Sequence, residues 1–304
     1  MIRAGVVALL LASPAGAESF CATAWTKVSA GLTAFGTVSG TVRQDGDWCV
    51  VQGAILDLDG QYLPDWHLDL LRVRGSALGW LVDGSTLPEG LEIAVEGLRL
   101  VVQTGDPQMD WLFAAQSRPN AINADAALSW DAKARVLRLE GLSIDFPGEN
   151  LIEVSALVRG VDLSSTGAMQ MSLTSFALTE ADLAVTTHGL FEGYALSALA
   201  PMLLPVEGDM DAAAEAIRAD LLAGVGDLAE GSFSADSKAA LRALVAELPN
   251  PSGTLTLGLR AEAGLGPARL GGYAMTGVPG TVAEAAPLLQ GVTVDVGWTH
   301  TDAP

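Results

Sequence analysis

From about Val38 to Thr187 apolar and polar positions alternate with a period of two. Leu91-Glu92-Ile93-Ala94-Val95-Glu96, Val136-Leu137-Arg138-Leu139-Glu140 and Leu142-Ser143-Ile144-Asp145-Phe146 are clear cases. Such alternation buries one face of a strand and wets the other, as in antiparallel sheet. Gln44-Asp45-Gly46-Asp47, Gln103-Thr104-Gly105-Asp106-Pro107 and Phe146-Pro147-Gly148-Glu149-Asn150 punctuate the runs and read as hairpin turns. Around Gly189 the period changes. Tyr194 to Leu204, Asp209 to Val225 and Ala235 to Leu248 read as three helices, with Asp209 as an N-cap and Pro249 and Pro251 ending the last. Met210, Ile217 and Leu221 form one apolar stripe; Leu241, Leu244, Val245 and Leu248 form another. Both stripes are expected to be buried against the sheet. Strands return at Thr254–Arg260 and Val292–Trp298. The predicted class is α+β: a curved, hairpin-rich antiparallel β-sheet with a helical insertion in the C-terminal half. The expected division is a leader at 1–17, a β domain at 18–188, the helical insertion at 189–251, and returning strands with a tail at 252–304.

A short pattern recurs within these segments: apolar, any residue, glycine. It occurs as Val51-Gln52-Gly53, Val95-Glu96-Gly97, Leu139-Glu140-Gly141, Val158-Arg159-Gly160 and Leu289-Gln290-Gly291. A glycine inside a strand marks a bulge or a close backbone approach. The recurrence suggests a repeated hairpin unit.

The first seventeen residues have the form of a secretory signal. Arg3 supplies the charge, Val6 to Leu11 the apolar stretch, and Ala15-Gly16-Ala17 the small-residue cleavage pattern. Cleavage is expected after Ala17, placing the mature chain in the periplasm. Ala4 to Ala17 is shorter than the ~20 residues needed to span a bilayer, so no transmembrane anchor is expected. The two cysteines, Cys21 and Cys49, are even in number in an exported chain, which favours a disulfide. Closing 28 residues contributes roughly 3–4 kcal/mol in the loop-entropy picture.

Charge narrows the functions. The chain carries 36 acids against 16 bases, a net charge of −20, so phosphate backbones and anionic headgroups find no basic patch. Half the residues are hydrophobic, enough for a sizeable core. No Gly-x-Ser-x-Gly elbow, phosphate-cradling Gly-Lys-Ser/Thr loop or His-Glu-x-x-His helix occurs, so no catalytic residue is assigned. His67, His188 and His300 are scattered, and no metal or cofactor is expected. Asp57-Leu58-Asp59-Gly60 resembles the start of a calcium loop, but the twelfth position is Leu68 rather than a bidentate glutamate. Alternation makes Asp57 and Asp59 a solvated strand face instead. Six of seven tryptophans lie in the first half, with Trp25 and Trp48 flanking the cysteines. Packing around a disulfide explains them; the sharper reading is an apolar ligand groove holding Trp66, Trp80 and Trp111.

Val95 to Leu100, Leu139 to Ile144, and the stretch from Gly189-Leu190-Phe191 to Pro251-Ser252-Gly253-Thr254-Leu255 carry a resemblance. The chain resembles uncharacterised exported proteobacterial proteins with repeated β-hairpins. More distantly it resembles the AsmA-type envelope proteins, from which its smaller size and lack of an anchor segment set it apart. The likeness implies an envelope role with a lipid-like ligand and transfers no catalytic residue. The expected function is therefore non-enzymatic: binding an apolar ligand or an envelope partner on a curved sheet. A structural or assembly factor, or a hydrolase assembled from distant residues, is the alternative.

Overall fold

The computed structural model describes residues 19–58, 63–84, 86–267, 269, 271 and 282–301; the leader and Asp59 lie outside them. Ten strands form one sheet in chain order, β1 next to β2 and so on to β10, each antiparallel to its neighbours, and the sheet does not close. They are β1 Gly36–Asp45, β2 Trp48–Leu58, β3 Pro64–Arg74, β4 Gly90–Val102, β5 Ile122–Asp131, β6 Val136–Phe146, β7 Asn150–Arg159, β8 Ala177–His188, β9 Ser252–Leu265 and β10 Val292–His300. The α+β class with an antiparallel sheet is thus observed.

Register sorts the side chains into two faces. One row runs Val42, Val51, Leu71, Val95, Ala124, Ile144, Ile152, Val185, Leu255, Trp298 across all ten strands. A second runs Cys49, Val73, Ile93, Ala126, Leu142, Val154, Leu183, Leu257, Val296. Both are apolar throughout. The row between them faces the other way; apart from the buried Val50 of β2 it is polar or small: Arg72, Ala94, Asp125, Ser143, Glu153, Ala184, Thr256. Period-two alternation, carried through the register shifts from strand to strand, produces this two-sided slab.

Three of the recurrent glycines sit at shifts in that register. Gly53, Gly97 and Gly141 lie where β2, β4 and β6 each carry one residue more than a neighbouring strand. Gly97 adopts φ +75°, and its N–H donates to the Asn123 side-chain oxygen at 3.0 Å instead of to the ladder. The other two copies fall at strand boundaries, Gly160 just after β7 and Gly291 just before β10.

Helices occur throughout the chain, not only after Gly189. The longer ones are α1 Phe20–Leu32, α2 Ser76–Asp83, α3 Pro107–Ser117, α4 Thr166–Ser172, α5 Leu196–Leu203, α6 Met210–Asp227 and α7 Ala235–Glu247. The first four fall within the stretch read as purely β. Their ends are specified locally. Ser19 Oγ accepts the Ala22 N–H, Asp106 accepts those of Gln108 and Met109, and Ser165 accepts that of Ala168. Asp106-Pro107, read from sequence as a turn, is an N-cap followed by proline at the first helical position. Asp209 caps α6 as expected.

The core is split between the two ends of the slab. At β10, Val292, Val294, Val296 and Ala261 are buried under Phe233 and under Ala240 and Leu241 of α7. At β2, Cys49 is buried with Cys21 of α1 and Leu78 of α2. Between them Leu142, Val154 and Leu183 are only half-buried, and among the described residues no helix lies broadly against β5 to β8. The expected burial of the α6 stripe is corrected: Met210 and Leu221 are exposed, because α6 packs on α7 rather than on the sheet.

Candidate functional site

Alternate positions of neighbouring strands supply a floor of side chains on the apolar face: Cys49 and Val51 from β2, Leu71 and Val73 from β3, Leu91 and Ile93 from β4. Two helices roof it. From α1 come Cys21, Ala24, Trp25 and Val28, spaced i, i+3, i+4, i+7, which places all four on one side of the helix. From α2 come Ala77, Leu78, Trp80 and Leu81. The space enclosed is about 420 Å³, and every lining residue is apolar. Val28 and Leu81 are exposed at its mouth, while Cys21, Cys49 and Leu78 are buried at its base. That size and composition match small-molecule sites, typically ~300–1,000 Å³.

Two links hold the roof. Cys21 and Cys49 form a disulfide with their Cα atoms 5.2 Å apart, the pairing expected from the sequence. The Lys27 ammonium donates to the Val82 carbonyl, joining α1 to the end of α2.

The three tryptophans assigned to one groove are not brought together. Trp80 lines the cavity between α1, α2 and the sheet. Trp66 pairs with Leu100 at the opposite end of β3 and β4, and is exposed. Trp111 stands exposed on α3, which joins β4 to β5 at that same far end. Trp25 takes the place they leave. The heptad-like spacing of Cys21, Ala24, Trp25 and Val28 is the sequence signal that could have identified it. Trp48, one residue from Cys49, points to the other face, its ring 4.5 Å from the Arg74 guanidinium.

The polar face carries a trough of about 690 Å³ running from Trp48 toward Gly258. Its carboxylates are Glu92, Asp125, Glu140, Glu153 and Asp182. Arg74 pairs with Glu92 at 2.5 Å and Arg260 with Asp182 at 2.9 Å, while Ser129 donates to Glu140. Among the described residues no group of three or more His, Cys, Asp or Glu side chains could hold a metal ion.

Two histidine environments bear on catalysis. His188 Nδ1 lies 3.0 Å from Ser252 Oγ, but that hydroxyl donates to the Thr301 carbonyl at 2.7 Å. The serine therefore accepts from the imidazole and is not deprotonated by it. His67 lies between Asp65 and Asp69 along β3. Burial lowers its pKa most, with Arg99 adding to the effect and the two aspartates opposing it. Both aspartates are already engaged: Asp65 accepts from the Leu58 N–H and Asp69 pairs with Arg99 at 2.8 Å. Neither constellation presents a nucleophile with a free base.

No helix among the described residues is long and apolar enough to cross a membrane, which says nothing about crossing by strands. No protein family matches the chain, and no curated protein matches it.

Proposed function

We propose that this is an exported, periplasmic, non-enzymatic envelope protein that holds an apolar, lipid-like ligand beneath α1 and α2. The observation that carries the reading is the cavity of about 420 Å³ whose fourteen lining residues are all apolar. The half-buried apolar rows continue from it along the sheet, giving a long ligand a surface beyond the cavity. The secretory form of the leader and the disulfide support an oxidising compartment. The test is mass spectrometry of organic extracts from natively purified protein, with uptake of a fluorescent fatty-acid analogue as a second readout. An acyl lipid near stoichiometric amount, with uptake reduced by Ala77→Phe at unchanged thermal midpoint, is expected. No extractable ligand together with no uptake overturns the reading.

An envelope protein partner is the second reading, and the edges of the sheet favour it. The outer edge of β10 is occupied: the Val294 N–H donates to the Ser232 carbonyl at 2.8 Å and the Val296 N–H to Ser237 Oγ at 3.0 Å. Among the described residues nothing pairs with the outer edge of β1, whose Thr37, Ser39 and Thr41 are exposed. An open edge is a template for a further strand. A photo-crosslinker at Thr41 should capture a defined partner in cells; no product there removes this reading.

A further inference from the structure

We infer that the ligand held beneath α1 and α2 is a single-chain carboxylate, its tail in the cavity and its head group at the mouth on the Lys27 ammonium. The inference rests on the ligand reading above and adds the head-group chemistry.

The fourteen lining residues are apolar, so the cavity takes a hydrocarbon tail and leaves a charged head group outside. Its volume of about 420 Å³ is near the lower end of the ~300–1,000 Å³ range of small-molecule sites, which suits one chain rather than two. The mouth is marked by Val28 of α1 and Leu81 of α2, both exposed. Lys27 and Val82 are their chain neighbours, and the Lys27 ammonium donates to the Val82 carbonyl. That bond fixes the ammonium beside the opening, in the last turn of α2, where the carbonyl end of a helix favours a cation. An ammonium has three N–H donors, so two remain for a ligand.

Lys27 differs from the other cations of these elements in its partner. Arg72 pairs with Glu96 at 2.9 Å, Arg74 with Glu92 at 2.5 Å and Arg99 with Asp69 at 2.8 Å. Arg72 and Arg74 also lie over the Trp48 ring on the opposite face of the sheet. Lys27 holds a carbonyl and, among the described residues, no carboxylate. Acids outnumber bases 36 to 16 in the chain, yet this cation at a cavity mouth is left without one. A single ammonium suits a monoanion. Phosphate is matched best by guanidinium forks, and those of β3 and β4 are already occupied.

The net charge of −20 works the other way, since the field of the whole chain attracts cations and repels anions. Local recognition by Lys27 and the overall field therefore predict opposite orders of affinity for ligands that share one tail.

The experiment is calorimetric titration of the disulfide-bonded protein at pH 8 with decanoate, decan-1-ol and decylammonium. Decanoate is expected to bind tightest and decylammonium weakest. The gap between decanoate and decan-1-ol should be about fivefold, the upper range for an exposed ion pair. Lys27→Gln can still donate to the Val82 carbonyl; it should abolish the preference for decanoate and leave decan-1-ol affinity and the thermal midpoint unchanged. Lys27→Arg should keep the preference. Decanoate no tighter than decan-1-ol, or a preference that survives Lys27→Gln, overturns the inference and leaves the ligand reading standing. So does decyl phosphate binding tighter than decanoate, which makes the head group a phosphate. Equal loss of all ligands in Lys27→Gln, with a lower thermal midpoint, makes Lys27 only a clasp between α1 and α2 and overturns the inference too. If none of the three ligands binds the parent protein, the ligand reading and this inference fail together.

Discussion

Glu247, near the end of α7, holds three partners: the Trp298 indole N–H at 2.8 Å, the His300 Nδ1 at 3.1 Å and the Ser252 N–H at 3.3 Å. Burial raises its pKa, but the hydrogen bonds from Trp298, His300 and Ser252 together with the charge of His300 outweigh it, and the net shift is downward. A carboxylate with a lowered folded pKa contributes stability above its ordinary value of 4.5, lost as pH falls through the folded value. Glu247→Gln should therefore lower the thermal midpoint at neutral pH by roughly 2–4 °C and flatten the acid limb of the stability curve. An unchanged acid limb contradicts the assignment. Gly97 offers a second residue-scale test. At φ +75° a Cβ there would stand 2.2 Å from the Asp69 carboxylate, itself held by Arg99. Gly97→Ala should cost about 2 kcal/mol in a denaturant titration, from backbone strain and displacement of the Arg99–Asp69 pair. Gly141, with nothing within 4 Å of its Cβ position, is the control.

Among the elements, α6 and α7 look equivalent in sequence and are not. Leu221 on α6 is 45% exposed, whereas Val245 on α7 is 8% exposed and belongs to the helix that covers β10. Leu221→Asp should leave the thermal midpoint within about 2 °C of the parent, because a charge reaching water costs little. Val245→Asp should unfold the protein near ambient temperature, because its charge is buried without a partner. Equal effects would show that α6 packs on the sheet after all. Helix α1 depends on its disulfide in a different way. Its thirteen residues are short for independent stability, so reduction should release hydrogen-exchange protection in α1 before the strands lose theirs.

At the scale of the whole molecule, the described residues cover the apolar face near β2 and near β10 and leave Leu142, Val154 and Leu183 between them half-buried. Leu183 and Val294 belong to the same face, yet only Val294 lies beneath a helix-side cluster. Leu183→Asp should cost about 1 kcal/mol, the scale of a β-propensity loss on a wetted sheet face, and reduce uptake of a long-chain fatty-acid analogue. Val294→Asp should cost several times more. Comparable losses at both positions would mean that the centre of the slab is covered in solution.

Local pattern determined much of this. Alternation in runs such as Leu91–Glu96 and Leu142–Phe146 is enough to define antiparallel strands, since the period of a strand is a property of the backbone. Gly53 and Gly97 announced their bulges because few other residues adopt their left-handed angles, and Asp209 announced its helix because capping is decided within four residues. Helices α1 to α4 escaped notice because each is at most thirteen residues long and begins with signals shared with turns, as in Asp106-Pro107. The site required the tertiary structure. Trp25, Trp80, Cys49 and Ile93 come from four elements, and only strand register together with the packing of α1 along β1 and its disulfide to β2 decides that they meet. The order of the strands sends Trp66, near the start of β3, and Trp111, on α3 between β4 and β5, to the far end, since a residue's local element is set by its own sequence but its neighbours by the pairing of all ten strands.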